Sequence, residues 1–334
     1  MAEIDYEKSW GALESTRRTA VTPPTHDFNA PLLITPRKAR RRGVGQGSLV
    51  PNRKSVTARK DSTWDLPSHE LDIYNLLFWA SMAIDGSPAI ATPAGGTNAR
   101  TFTFSRDLSS DSLKSATLYG NDPNVKMFQI AGAMADELAV EMTTGEDGGS
   151  ITQAANGRGL FPTSLGSAPT APTATNAPML IPGLSQLWID SSSAIGTTEI
   201  ADARLVGGGF TIPTGVTYKY NAQGPSSTLG YAATGRTKQP ATLDLSVEFF
   251  DTDEYDLWNS DTQLKTRLRL NGPIIEGSLR HYVQLDIYGP FNEDFDWADL
   301  EGSNRLLDLS IDSEDNSTAG YDYVLVIQTD KTSV

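Results

Sequence analysis

The 334-residue chain has no cysteine, so it offers no disulfide framework, no thiolate metal site and no thiol nucleophile. It has three histidines, His26, His69 and His281, far apart in sequence. None sits in a His-x-Glu-x-x-His or similar metal spacing, so a structural role is expected for each and no cofactor is implied. No apolar run is long enough to cross a bilayer as a helix, which argues against membrane insertion. The opening MAEIDYEKSW is polar and acidic and lacks a signal-peptide core, so synthesis in the cytoplasm is the expectation. At 38% hydrophobic and 20% charged residues, the composition is that of a globular chain long enough for two domains with cores of their own.

Catalytic constellations are also lacking. Gly43-Val44-Gly45-Gln46-Gly47 does not follow GxGxxG and lacks the Lys-Ser/Thr of a phosphate loop. Gly207-Gly208-Gly209 has the same defect, and both read as turns or loop tips. Acidic clusters at Asp251, Asp253 and Glu254, and at Glu293, Asp294, Asp296 and Asp299, miss the D-x-[DN]-x-[DN]-G calcium spacing and read as solvated loops. Ser105 and Ser191 to Ser193 have no G-x-S-x-G context. A non-enzymatic protein is expected.

Charge is abundant but uneven. The net charge is −14, yet residues 1–60 carry twelve Lys/Arg against five Asp/Glu, leaving the remainder at −21. The basic excess peaks in PRKARRRG, with Arg37, Lys38, Arg40, Arg41 and Arg42. No aromatics interleave with it and no nucleic-acid motif surrounds it. Pairing with the acidic body of another copy suits this asymmetry better than gripping nucleic acid.

The clearest pattern lies between Thr242 and Pro290. Leu243, Leu245, Val247 and Phe249 alternate with Asp244, Ser246 and Glu248, which is a strand with one dry and one wet face. A short helix after Asp251, with Tyr255, Leu257 and Trp258 on its apolar side, leads to alternating runs around Leu268 and Leu270 and around Val283, Leu285 and Ile287. The same order, strand, helix, strand, strand, occurs earlier: RKSVTARKD, then a helix over about 68–82 with Ser68 as N-cap, then RTFTFSRD and SLKSATLYG. Residues 125–142 read as strand, with RLLDLSIDS at 305–313 as their copy, and GLSQLWID and YDYVLVIQTD as further strands. The fold class predicted is mainly β, as two tandem sandwich- or barrel-like modules, each flanked by a short helix. The boundaries are an extended N-terminal arm over 1–29, a first module over 30–150, a Pro/Ala/Thr-rich linker over 151–182 and a second module over 183–334.

Taken together, the basic strand pair with LPSHELDIYNLLFWASM, then TFTFSRD, LYGNDPNVKMFQIAG and LAVEM, resembles the major tail tube proteins of long non-contractile-tailed bacteriophages. The second half resembles them through GRTKQPATLDLSVEFFDTDEYDLW, TRLRLNGP, HYVQLDIYGPFNEDFDWADLEGSNRLLDLSIDS and the closing YDYVLVIQT. The likeness covers roughly residues 30–330 as a pattern, without a strict signature. It implies a structural virion protein, made in the host cytoplasm, whose edge strands pair between protomers into rings. The rings would stack into the tail tube around a tape-measure protein, between tail terminator and tip proteins, with DNA only in transit. Family members with one module form six-fold rings, so two modules per chain predict a trimeric, pseudo-hexameric ring, with a hexamer of chains as the alternative.

Two expectations about charge accompany the resemblance. Asp244, Glu248, Asp286, Asp308 and Asp312 are candidates for an acidic wet face lining the bore, and Arg37, Lys38, Arg40, Arg41 and Arg42 for contacts between rings or protomers. The reading from another class is a β-rich carbohydrate-binding or adhesin-type module, with Trp188, Trp258 and Trp297 stacking on sugars. A glycoside-active enzyme using the acidic clusters is a third.

Overall fold

A computed structural model describes the chain except residues 1–7, 44–53, 107–112, 122–125, 192–193, 201–203, 222–228, 249–252, 260–261, 293–295, 302–303 and 317–318. The protein is mainly β. In the first half lie β1 (Trp10–Leu13), β2 (His26–Asp27), β3 (Leu33–Gly43), β4 (Lys54–Glu70), α1 (Ile73–Ala83), β5 (Ala89–Ala91) and β6 (Arg100–Ser105). They are followed by β7 (Ala116–Gly120), β8 (Phe128–Thr143), β9 (Ser150–Gly159) and β10 (Thr163–Ser164). In the second half lie β11 (Gln186–Asp190), β12 (Leu205–Pro213), β13 (Val216–Lys219), β14 (Ala233–Arg236), β15 (Thr242–Glu248) and α2 (Asp253–Asn259). The chain closes with β16 (Leu264–Glu276), β17 (Leu279–Gly289), β18 (Asp296–Glu301), β19 (Asn304–Asp312) and β20 (Tyr323–Thr329).

Eight strands form one antiparallel array in the order β3-β4-β9-β8-β12-β15-β19-β18. The array is two copies of one arrangement. In the first half the pairings are β3 with β4, β4 with β9 and β9 with β8; in the second they are β12 with β15, β15 with β19 and β19 with β18. In both, a helix follows the second strand. The seam is β8 against β12, from Glu137↔Pro213 to Thr143↔Gly207. Strand then helix recurs as read from the sequence, but the two strands after each helix do not correspond: β6 and β7 lie in different sheets, whereas β16 and β17 pair with each other. One correction follows: RLLDLSIDS is β19, whose counterpart is β9, not β8.

A second sheet, in the order β11-β16-β17-β20-β6-β5, mixes strands of both halves. One hydrophobic core joins Phe102, Phe104, Leu118 and Val140 to Leu243, Leu268, Leu285 and Ile311. The two repeats therefore do not keep separate cores. α1 is enclosed rather than flanking, with every residue except Tyr74 buried. Phe78 and Trp79 pack on Phe28 at 5.1 and 4.6 Å between ring centroids, and Trp79 stacks on Trp64 at 5.5 Å. Its N-cap is Asp72, whose side chain accepts hydrogen bonds from the N–H groups of Tyr74 and Asn75. Ser68, the expected cap, and His69 lie in β4, because that strand runs on to Glu70.

The domain boundaries also fall differently from those read in the sequence. Residues assigned to an arm include β1, an inner strand between β2 and β7 with Trp10 and Ala12 buried. The buried Glu14 fixes it by accepting from Ser115 Oγ, Thr117 Oγ1 and the N–H groups of Gly132 and Arg18, at 2.6 to 2.9 Å. Residues assigned to the linker begin with β9, which lies between β4 and β8. Gly207-Gly208-Gly209 is not a loop tip but part of β12. A Cβ on Gly209 would meet Val140 O of β8 at 2.6 Å, so the seam requires glycine there.

Candidate assembly surface

The eight-stranded array has one face on the core and one turned away from it. On β15 the side chains of Leu243, Leu245 and Val247 are buried, while Thr242, Asp244, Ser246 and Glu248 alternate outward. On β19 Leu307, Leu309 and Ile311 are buried, while Asp308, Ser310 and Asp312 face outward. Register places three of these four acids opposite a hydroxyl, Asp244 by Ser310, Ser246 by Asp308 and Thr242 by Asp312, while Glu248 stands opposite Leu306. Ser310 Oγ donates to Asp244 at 2.7 Å and Thr242 Oγ1 to Asp312 at 2.8 Å, and Ser246 Oγ donates to Asp308. Between β15 and β19 no two acids stand directly opposite each other, although Asp308 is in register with Asp296 of β18 on its other side.

The face continues across the seam. Glu141 and Asp244 stand on either side of Gly209, in register with Thr152 and Glu70. Asn156 lies between Asp65 and Glu137. Asp65, Glu70, Glu137 and Glu141 thus extend the acidic face into the first half, and sequence reasoning missed them. Their signal was weak, because β4 and β8 are interrupted by bulges between Leu66 and His69 and between Ala135 and Glu137. Over the glycines the face sinks into a trough of about 630 Å³ walled by Glu141, Asp244 and Asp308. Arg158, on the same face, is held by Asp136 at 3.4 Å and lies over Tyr218.

Among the predicted acids, Asp244, Glu248, Asp308 and Asp312 lie together on this face. Asp286 does not. It belongs to β17 in the other sheet, is buried, and is held by Arg267 Nε and Nη2 at 2.7 and 2.8 Å. The alternation of β17 is genuine, but at Asp286 the face opposite the core is covered by the Arg267 side chain of β16.

The predicted basic residues stand at one end of the array. From Arg37 to Gly43, β3 pairs only with the part of β4 between Lys54 and Asp61, beyond the last β4–β9 pair, Ser62↔Gly159. The result is a two-stranded arm. Arg37, Lys38, Arg40 and Arg41 are exposed on it, and Arg42 continues the strand. Its base is braced: Arg59 lies 4.4 Å over the Tyr220 ring, Tyr220 Oη donates to Asp61 at 2.6 Å, and Lys38 and Lys60 both approach Phe161. The tip lies outside the described residues.

Both ends of the array are edges among the described residues. β3 pairs only with β4, and β18 only with β19. They are not equivalent edges. β3 holds the position in its repeat that β12 holds in the second, and β18 the position that β8 holds in the first.

The residues favouring other readings are scattered. Trp188 is buried beneath Arg269, and Trp258 Nε1 donates to Asn292 O at 3.0 Å. Trp297 lies in β18. Of the acidic clusters, Asp253 and Glu254 begin α2 and Asp296 and Asp299 lie in β18, while Asp251, Glu293 and Asp294 fall outside the described residues. The described residues hold no group of three or more His, Asp or Glu able to bind a metal ion. Burial lowers the pKa of all three histidines, His26 to about 4. Among the described residues no helix is long and apolar enough to cross a membrane. Comparison with protein-family models finds no match, and comparison with curated proteins finds none either.

Proposed function

We propose that this chain is a self-assembling structural protein of the tail tube kind, whose eight-stranded array closes with copies of itself into a ring. The β8–β12 seam carries the reading. In spatial order it joins the end strand of one repeat, β8, to the starting strand of the next, β12, and it leaves a starting strand, β3, and an end strand, β18, at the two edges. β18 of one copy then meets β3 of the next as β8 meets β12 within the chain. A head-to-tail contact of this type closes a ring when the rotation permits, and closure removes exposed strand edges.

Three copies supply twenty-four strands. At about 4.8 Å per strand the girth is roughly 115 Å before tilt, wider than the 16–18-stranded barrels that already leave an aqueous channel. With the acidic face inward, the bore repels a nucleic-acid backbone instead of collecting it, since each Lys or Arg on a phosphate releases counterions and favours retention. The basic arm of β3 and β4 then meets acidic surface of an adjacent ring or protomer. Rings stacked in this way form a virion tail conduit for DNA, assembled around a tape-measure protein between terminator and tip proteins, and the reading involves no catalytic step.

Negative-stain microscopy of the purified protein tests it. Three-chain rings or stacked tubes are expected. A monomer persisting at high concentration would contradict assembly through these edges.

A further inference from the structure

The face of the six-stranded sheet turned away from the core carries a different site. Beside β16 and β17 lies an open cavity of about 500 Å³, within the range of small-molecule sites. It is lined by two arginines, Arg269 and Arg280, and by no carboxylate. That is unusual in a chain of net charge −14.

Arg269 is held as a plate. Its guanidinium lies 5.3 Å from the Trp188 ring centroid and 4.8 Å from that of Tyr282. Nε and Nη2 both donate to the neutral Gln284 Oε1. Nη1 is left for the cavity. Arg280 donates through Nη1 to Gly272 O at 3.2 Å and keeps its other donors. Neither arginine is in an ion pair among the described residues. The nearby acids are already engaged: Asp286 by Arg267, and Glu199 Oε1 by Gln186 Nε2 at 2.7 Å. Burial pulls the Arg269 pKa down from its ordinary value, as expected of a guanidinium short of a counter-ion.

The remaining lining is polar. Asn271 spends its amide hydrogens on Leu184 O and Gln186 Oε1, which leaves its carbonyl oxygen as an acceptor. Tyr282 supplies an aromatic wall. A flat guanidinium with free donors matches a carboxylate better than a point charge does, and an amide carbonyl beside it accepts from hydroxyl groups.

We propose that this cavity binds a carboxylate-bearing saccharide unit, a uronic acid, with the carboxylate on Arg269 and Arg280 and a ring hydroxyl donating to the Asn271 carbonyl oxygen. The site is independent of ring assembly, being built within one chain.

The probe is digalacturonate, titrated calorimetrically into the full chain, with the neutral galactose disaccharide and a glutamate-rich peptide as comparisons. Arg269→Gln removes the plate. Arg280→Gln, further from the packed aromatics, serves if the first variant fails to fold. The expected result is binding of digalacturonate, at least tenfold weaker in Arg280→Gln, with no binding of the neutral sugar. Absence of digalacturonate binding, equal binding of the neutral sugar, unchanged affinity in Arg280→Gln, or equal or tighter binding of the peptide would each overturn the assignment.

Discussion

Arg267 holds Asp286 with two charge-assisted hydrogen bonds in a site where both side chains are largely buried. Asp244, in an equally regular alternation, is exposed and takes one hydrogen bond from Ser310. Replacing Asp286 by Ala strands a buried guanidinium and should cost about 3 kcal/mol. Asp244→Ala should stay within about 0.5 kcal/mol. Urea midpoints at constant slope measure both. The sequence could not separate these two acids, because alternation tells which residues leave one core but not what covers the far side. His26 gives a pH signature. Folded, it titrates at about 4, below its ordinary 6.5, because burial disfavours the imidazolium and Lys331 adds to it. Between these values the native state binds fewer protons than the unfolded one, so stability falls as pH drops from about 6.5 to about 4. His69 and His281 shift in the same direction. Melting temperatures across that window should fall less steeply for His26→Gln than for the parent; parallel curves would remove His26 as a cause.

At the scale of elements, β15, β16, β17 and β19 were legible because each sets apolar residues strictly against polar ones. β9, SITQAANGRG, was not, since it buries Gln153, Ala155 and Gly157 along with one larger apolar residue, Ile151, and so resembles the loop that follows. β12 was obscured by glycines that the seam itself demands. The start of α1 was misplaced by four residues: Ser68 satisfies the capping pattern but lies in β4, which runs on to Glu70, and Asp72 makes the bonds. Asp72→Ala should therefore destabilise by about 1 kcal/mol, and Ser68→Ala, in strand, by less. Chemical denaturation of the two variants separates them. The basic arm makes a sharper claim about assembly. Its exposed charges lie beyond the array and contribute little to the fold. Arg40→Glu, Arg41→Glu and Arg42→Glu together should leave the circular dichroism and melting of the protomer unchanged while impairing polymerisation, measured by sedimentation. Normal polymers from the triple variant would show that the arm does not guide stacking.

On the scale of the whole molecule, the duplicated arrangement is the feature with most consequence. The acidic face became visible as one surface only when β8 and β12 were brought side by side, since Glu141 and Asp244 are more than a hundred residues apart and share no local pattern. The copy order of strands was half legible: the sequence showed strand and helix recurring, but not that β8, at the spatial end of one repeat, pairs with β12, which starts the next. That seam predicts its own continuation. A high-resolution cryo-electron microscopy reconstruction of the assembled protein tests it most directly. The account predicts three chains per ring, β18 of each hydrogen-bonded to β3 of the next, and the face bearing Asp244, Asp308 and Glu141 turned to the bore. Six chains per ring with one repeat outside the wall, β3 and β18 unpaired, or Arg40 and Arg41 lining the bore would contradict it.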